Sequence, residues 1–224
     1  MVHDPFYDLV LSKPALAFDL KRTALLVVDL QYMDAHPDGW MGRLCRDQGK
    51  PNHLDERWAN ITSILPNVRR LQDVCRAHRV EVIHIRTAFL TNNARDGSRS
   101  LVAHGIRTAY DSRDAEFLEA VVPLPDEVII TKASAGAFNS TAIDKVLFNL
   151  DVRQLIVTGI VTEGCVEMTA RDAADRGFVV TLVSDGCTSS TRAAHEEALA
   201  RMTDGDIMTA RTTAEVVVLL EQAK

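Results

Sequence analysis

Apolar runs alternate with amphipathic stretches along this chain, and the two periods predict strands alternating with helices. Residues 24–29, Ala-Leu-Leu-Val-Val-Asp, are apolar until an acid ends them, the pattern of a strand buried on both faces. Val80 to Ile85, Glu127 to Thr131, Leu155 to Thr158, Phe178 to Val183 and Asp206 to Thr209 read as further strands. Helical spacing marks Pro66 to His78, where Val68, Leu71, Val74 and Cys75 carry the apolar positions and Pro66 fits a first turn. Thr141 to Leu150, Glu163 to Arg176 (ended by Gly177), Thr191 to Met202 and Thr213 to Glu221 are expected helices. Two stretches break the rhythm. Residues 30–57, rich in Gly, Asp, Pro and Arg, and the polar residues 87–113 are expected to be long loops, a length that usually marks function in a compact domain.

Short connections between alternating elements predict an α/β fold: a single-domain, doubly wound, mostly parallel sheet with helices on both faces. The domain is expected to span residues 1–224, with 1–22 as an N-terminal extension. In such sheets ligands bind beyond the carboxyl ends of the strands.

Composition narrows the function classes. Hydrophobic residues at 46% and charged residues at 25% are ordinary globular values, against disorder. A net charge of −6, with no stripe of Lys and Arg, argues against a nucleic-acid partner. No apolar run has bilayer length, and Met1 to Ser12 lacks the basic start and apolar core of a secretory signal, so no membrane association is expected. The four cysteines, Cys45, Cys75, Cys165 and Cys187, form neither a CxxC pair nor a disulfide framework, so a reduced, cytoplasmic setting is expected. Cys75 falls in a helical pattern as a small buried hydrophobe, while Cys45 and Cys187 fall in loop-like segments.

Three residues stand where chemistry is expected. Asp29 ends the first strand, Lys132 follows the third, and Cys165 follows Leu155–Thr158 through Gly159-Ile160-Val161-Thr162-Glu163-Gly164. An acid, an amine and a thiol at one sheet edge suit an activated nucleophile with its base and cation. If Thr162 caps the next helix, Cys165 lies at its third position, where the positive helix end favours a thiolate and free N–H groups can hold an oxyanion. Taken singly, each has a plainer reading: a turn acid, a solvated lysine, an inert buried thiol. Their joint placement favours the chemical one.

The surrounding residues resemble the isochorismatase-like hydrolases. Val-Val-Asp-Leu-Gln at 27–31 is similar to that family's first-strand motif. Thr-Lys-Ala-Ser-Ala-Gly-Ala-Phe-Asn-Ser-Thr at 131–141 is similar to its lysine motif. Thr-Gly-Ile-Val-Thr-Glu-Gly-Cys-Val-Glu at 158–167 is similar to its cysteine motif, and Thr-Ala-Arg-Asp-Ala-Ala-Asp-Arg-Gly-Phe at 169–178 extends it. The likeness runs from about residue 23 to the C-terminus. It implies Asp29 as acid/base, Lys132 as the lysine, Cys165 as nucleophile, a cis peptide at Ile160–Val161, and an oxyanion hole from the N–H groups of Val161 and Cys165. Members with this cysteine cleave amide, carbamoyl or ureido bonds, whereas those acting on the vinyl ether of isochorismate generally lack it. The expectation is therefore hydrolysis of a C–N bond in a small linear amide, carbamoyl or ureido compound through a thioester. The alternatives are vinyl-ether hydrolysis and a non-enzymatic member retaining the motifs.

No cofactor and no metal are expected. The metal-binding residues of nicotinamidase members have no match in Arg86-Thr87-Ala88-Phe89-Leu90-Thr91-Asn92-Asn93, where His104 is the only histidine nearby. Asp34 and His36 have ligand spacing but make only two groups. The expected partner is a small-molecule substrate. Gln31, Tyr32, Thr87, Phe89, Phe138 and Asn139 are candidate pocket residues, with a core position an equal alternative for the aromatics. Trp40 and Arg43 are candidates for covering the site. Substrate choice is expected to reside in loops 32–57 and 87–113. The resemblance also implies a homodimer or homotetramer. The apolar run Val216 to Leu220 fits a subunit contact or burial against the sheet equally well.

Overall fold

A computed structural model of the chain describes residues 17–204 and 207–223, together with Leu9. Most of the expected N-terminal extension and the first residue of the expected last strand, Asp206, lie outside the described residues. Six parallel strands form one sheet: β1 (Thr23–Val28), β2 (Glu81–Thr87), β3 (Val128–Lys132), β4 (Gln154–Ile160), β5 (Val179–Thr188) and β6 (Met208–Arg211). Their spatial order is β3-β2-β1-β4-β5-β6, so the winding reverses between β1 and β4. The expected α/β, doubly wound sheet is the fold observed.

The helices are α1 (Tyr32–Ala35), α2 (Trp40–Asp47), α3 (Asp55–Ala77), α4 (Arg99–Ala103), α5 (Ile143–Asn149), α6 (Glu167–Asp175), α7 (Arg192–Thr203) and α8 (Thr213–Gln222). Alternation along β1 sends Ala24, Leu26 and Val28 into a core with residues of α5, α6 and α7. Leu25 and Val27 enter the opposite core with residues of α3 and α8. In α8, Val216, Val217 and Leu220 are buried in that second core while Val218 is exposed. Among the described residues, no helix is long and apolar enough to cross a membrane.

Three expectations are corrected. Residues 30–57 are not a continuous loop: they hold α1, α2 and the start of α3. Pro66 does not begin its helix but lies inside one of 23 residues. Ile61, Ile64, Val68, Leu71 and Cys75 form one continuous buried stripe along α3. A proline inside a helix costs about 3 kcal/mol, and burial of five such side chains, each contributing roughly 1.5–3 kcal/mol, outweighs it. Residues 87–113 likewise contain α4, whose first turn is capped by the Ser98 hydroxyl.

Neither Cys45 nor Cys187 is in a loop. Cys45 lies in α2, and Cys187 is a buried residue of β5, which continues past Val183. The turn-like Ser184-Asp185-Gly186 is a bulge, not a strand end. Val157 pairs with Leu182 and Gly159 with Cys187, so five steps on β5 match two on β4. Opposite this irregularity β1 and β4 approach closely. Gly159 has φ +116°, and a Cβ there would stand 2.0 Å from the Val28 carbonyl oxygen, so only glycine fits.

A buried polar group in the sheet makes a testable statement about acid stability. His84 on β2 is fully buried, with Nε2 3.1 Å from Glu127 Oε2 and Phe117 edge-on at 5.2 Å. Gln72 and Arg76 complete its polar surroundings. Burial lowers its pKa from 6.5 to about 4 against the opposing pull of Glu127. Between those values the unfolded chain takes up a proton that the folded protein refuses, so stability falls as pH drops from about 6.5 to about 4. The loss expected is about 3 kcal/mol. Urea midpoints at pH 7.5 and 4.5 should differ clearly less in His84→Gln than in the wild-type protein. An equal difference would remove His84 as the cause.

Candidate active site

The ends of β1, β2, β3 and β4 meet at one edge, and each delivers one polar side chain. Asp29 follows β1 with φ +52°, a left-handed conformation that Asp tolerates better than most residues. Its side chain turns under the sheet edge and is 1% exposed. Lys132, the last residue of β3, is 0% exposed. Lys132 Nζ lies 2.8 Å from Asp29 Oδ2 and donates to Thr87 Oγ1 at 2.6 Å, to the Ser134 carbonyl at 3.1 Å and to Cys165 Sγ at 3.5 Å. Thr87, at the end of β2, donates in turn to Asp29 Oδ1 at 3.3 Å. The three residues singled out in the sequence are thus brought together, with Thr87 as a fourth member of the network.

The connection carrying Cys165 departs from expectation. Thr162–Val166 form a single π-turn with non-helical geometry at Gly164, and α6 begins only at Glu167. Thr162 does not cap α6; its hydroxyl pairs with His195 Nδ1 on α7 at 2.8 Å. Cys165 therefore precedes the helix rather than occupying its third position. Glycine at 164 relaxes the chain into the tight turn, in which the Gly164 and Val166 N–H groups both return to the Val161 carbonyl. The Ile160–Val161 peptide is cis.

Electrostatics also differ from the expected thiolate. Burial pushes the Cys165 thiol well above its ordinary range; Lys132 pulls it down, and Asp29 pushes it up again by its charge and as hydrogen-bond acceptor. The resting sulfur is accordingly a protonated thiol facing a carboxylate. Burial draws the Lys132 ammonium down, whereas the Asp29 carboxylate beside it, by charge and hydrogen bond, favours the protonated lysine, and the net shift is upward. Nearby, Asp34 on α1 is pushed up to about 6, chiefly by burial and against the neighbouring Arg57.

The candidate pocket residues divide. Gln31 is fully buried: its Nε2 donates to the Thr87 and Asp114 carbonyls at 2.9 Å each, and its Oε1 accepts the Thr87 N–H at 2.6 Å. It fixes the strand bearing Thr87 and has no polar atom left for a substrate. Phe89 is wholly buried, and Phe138 packs in the core against Phe178, 6.2 Å away, so for both the core alternative holds. Asn139 is exposed. Tyr32 lines an open groove of about 1020 Å³ with His36, Trp58 and Arg113, a groove whose lining does not include Cys165. Arg43 pairs with Asp114 at 2.6 Å, and the Trp40 N–H donates to the same carboxylate, so α2 is clipped to the second long connection.

What the sequence reading missed is Asp34 as part of a polar rim. Arg57, buried in α3, reaches Asp34 Oδ2 at 3.2 Å and the Asp34 carbonyl at 2.9 Å. Asp34 and His36 are not joined by a third ligand: among the described residues, no group of three or more His, Cys, Asp or Glu is placed to hold a metal ion. The missing signal lay in the unrecognised first half of α3, which brings Arg57 across the chain.

Comparison with known proteins agrees with this geometry. The isochorismatase domain profile matches residues 23–215. A cysteine hydrolase from Pseudomonas syringae pv. phaseolicola 1448A superposes with a TM-score of 0.79 at 27% identity, covering 96% of this chain and all of that one. N-carbamoylsarcosine amidase from Thermoplasma acidophilum shares the fold, with a TM-score of 0.66 at 16% identity over 86% of this chain and 96% of that one. N-carbamoylsarcosine amidase from Arthrobacter sp. is 33% identical over 123 residues, 53% of this chain; the match spans about half, 47%, of that relative. With the domain profile covering most of its length and the fold agreeing throughout, this chain belongs to the isochorismatase family of hydrolases.

Proposed function

We propose that the protein hydrolyses a C–N bond in a small linear amide, carbamoyl or ureido compound, with Cys165 as nucleophile, Asp29 as acid/base and Lys132 as the fixed cation. The observation that carries this reading is the buried Lys132 ammonium, 2.8 Å from the Asp29 carboxylate and 3.5 Å from the Cys165 sulfur. The 33% identity to an N-carbamoylsarcosine amidase supports the same bond type.

In this mechanism the thiol proton passes to Asp29 as Sγ attacks the carbonyl carbon. The tetrahedral oxyanion lies against the N–H groups of Val161 and Cys165. Asp29 returns the proton to the leaving nitrogen, the C–N bond breaks, and a thioester remains. A water molecule then attacks, giving a proton to Asp29, and Sγ departs and is reprotonated. Lys132 offsets the Asp29 charge and lowers the cost of the transient thiolate.

A panel of small amides, carbamoyl amines and ureas, assayed for ammonia or amine release, tests the reading. At least one should be turned over by the wild type and not by Cys165→Ala. Turnover confined to a vinyl ether, and unaffected by Cys165→Ala, would replace C–N hydrolysis with the other chemistry of the family.

A further inference from the structure

Asp34 holds a carboxylate oxygen that the fold leaves unused. Its Oδ2 faces Arg57, whose guanidinium also donates to the Asp34 carbonyl and, at 2.8 Å, to Ser190 Oγ. Arg57 is 3% exposed, so this grip is rigid. The same segment is tied down twice more. Asn60 on α3 donates to the Ser189 carbonyl at 3.5 Å, and the Ser189 hydroxyl donates to the Glu163 carboxylate, two residues before Cys165. These contacts join the connections after β1, β4 and β5 to α3 as a closed rim beside the nucleophile.

Within that rim Asp34 Oδ1 is buried and has no hydrogen-bond partner among the described residues. A buried unpaired acceptor is unfavourable and calls for a reason. Holding Arg57 is not the reason, since Oδ2 and the main-chain carbonyl suffice for that. Asp34 lies on α1, the short helix that directly follows the Asp29 segment, and its charge acts on both Lys132 and Cys165.

Resting on the C–N hydrolase reading above, we propose that Asp34 is a substrate-binding residue whose Oδ1 accepts an N–H of the amide, carbamoyl or ureido group, selecting nitrogen substrates over esters. Asp29 is paired with Lys132 and Asp34 with Arg57, so neither carboxylate demands a cationic ligand. A buried unpaired acceptor wants a donor, which an amide nitrogen supplies and an ester oxygen does not. A site built to bond an N–H discriminates strongly against an isostere lacking it.

Two alkylating probes of similar shape test this without needing a known substrate. Iodoacetamide carries N–H donors, and methyl iodoacetate carries none. Both alkylate the same sulfur, so the ratio of their rates is independent of how much thiolate is present. In Asp34→Asn, Arg57 holds the amide oxygen, so the NH2 group faces the ligand and donor meets donor. The amide-to-ester rate ratio should fall about 10-fold or more, as expected for losing a hydrogen bond to a charged acceptor. The methyl ester rate should not fall, because removing the Asp34 charge eases ionisation of the thiol, and a reactive Cys165 shows that the site is intact. A second reading uses the unaltered protein. With Arg57 and Lys132 cationic throughout and Asp29 as the other facing carboxylate, protonating Asp34 near pH 6 should lower the ratio as the pH falls from 8 to 5. A ratio unchanged in Asp34→Asn, or flat across that range in the wild type, overturns the role of Asp34. Absence of Cys165-dependent amine release from the substrate panel overturns instead the reading on which it rests.

Discussion

Cys165→Ser is expected to keep the fold and to lose turnover by at least ~10³-fold, the scale on which removal of a nucleophile acts. The hydroxyl is a poorer nucleophile than sulfur, and the groups shown against Cys165 are a carboxylate and an ammonium. Burial and Asp29 favour the thiol over the thiolate, against Lys132, so a residue that gives up its proton less readily is at a further disadvantage. Rapid quench of the wild type with a turned-over amide should reveal, by intact mass, a protein heavier by the acyl group. The serine variant should show none in the first turnover. Full activity without an adduct would end the covalent mechanism while leaving the fold assignment untouched.

Asp29→Asn and Lys132→Met should separate two properties that one assay confuses. Removing Lys132 takes away the charge that lowers the thiol pKa, so alkylation of Cys165 near neutral pH should slow. It also leaves Asp29 buried without its cation, with an expected destabilisation of about 3–5 kcal/mol, so a melting curve must accompany the rate. Asp29→Asn acts in the opposite sense on the sulfur. It removes a negative charge and a carboxylate acceptor, both of which hold the thiol protonated, so alkylation should accelerate. Turnover should nonetheless fall by about 10²–10⁴-fold, because no group remains to carry the proton to the leaving nitrogen. Alkylation of Lys132→Met at the wild-type rate, or substantial turnover by Asp29→Asn, would show the roles to be misassigned.

The sheet was legible in the sequence because β1 is buried throughout and the other long strands carry apolar cores. β1 and β2 could be placed to within one or two residues, and the polar residues ending β1 and β3 are conspicuous against such runs. The helices before α3 were not legible. Gly39, the N-cap of α2, and Gly42 within it pack against main-chain atoms, so glycines that look like loop residues serve helix packing. In α3 the proline hid a stripe that continues unchanged on both sides of it. The end of β5 failed for a related reason: Ser184-Asp185-Gly186 has turn chemistry, and only pairing with β4 reveals that the strand resumes. Site geometry followed the same division. Asp29 and Lys132 lie at or directly after strand ends, and Cys165 in the turn that follows β4, so all three could be found by counting along the chain. Thr87 and Asp34 act through partners 45 and 23 residues away, and no local pattern announces such contacts.

The backbone at Asp29 has a bearing on how this sequence can vary. With φ at +52°, position 29 admits Asp, Asn or Gly with little penalty, whereas a longer or branched side chain pays roughly 1–2 kcal/mol before any chemistry is considered. Glutamate, the usual stand-in for aspartate and identical in charge, is disfavoured by the main chain itself. The accessible mutational neighbours are the amide and the bare hydrogen, and neither can shuttle a proton. A lineage that loses catalysis at this step therefore has no graded route through a weaker acid: it passes directly from carboxylate to silence, and the same fold is left free for another use.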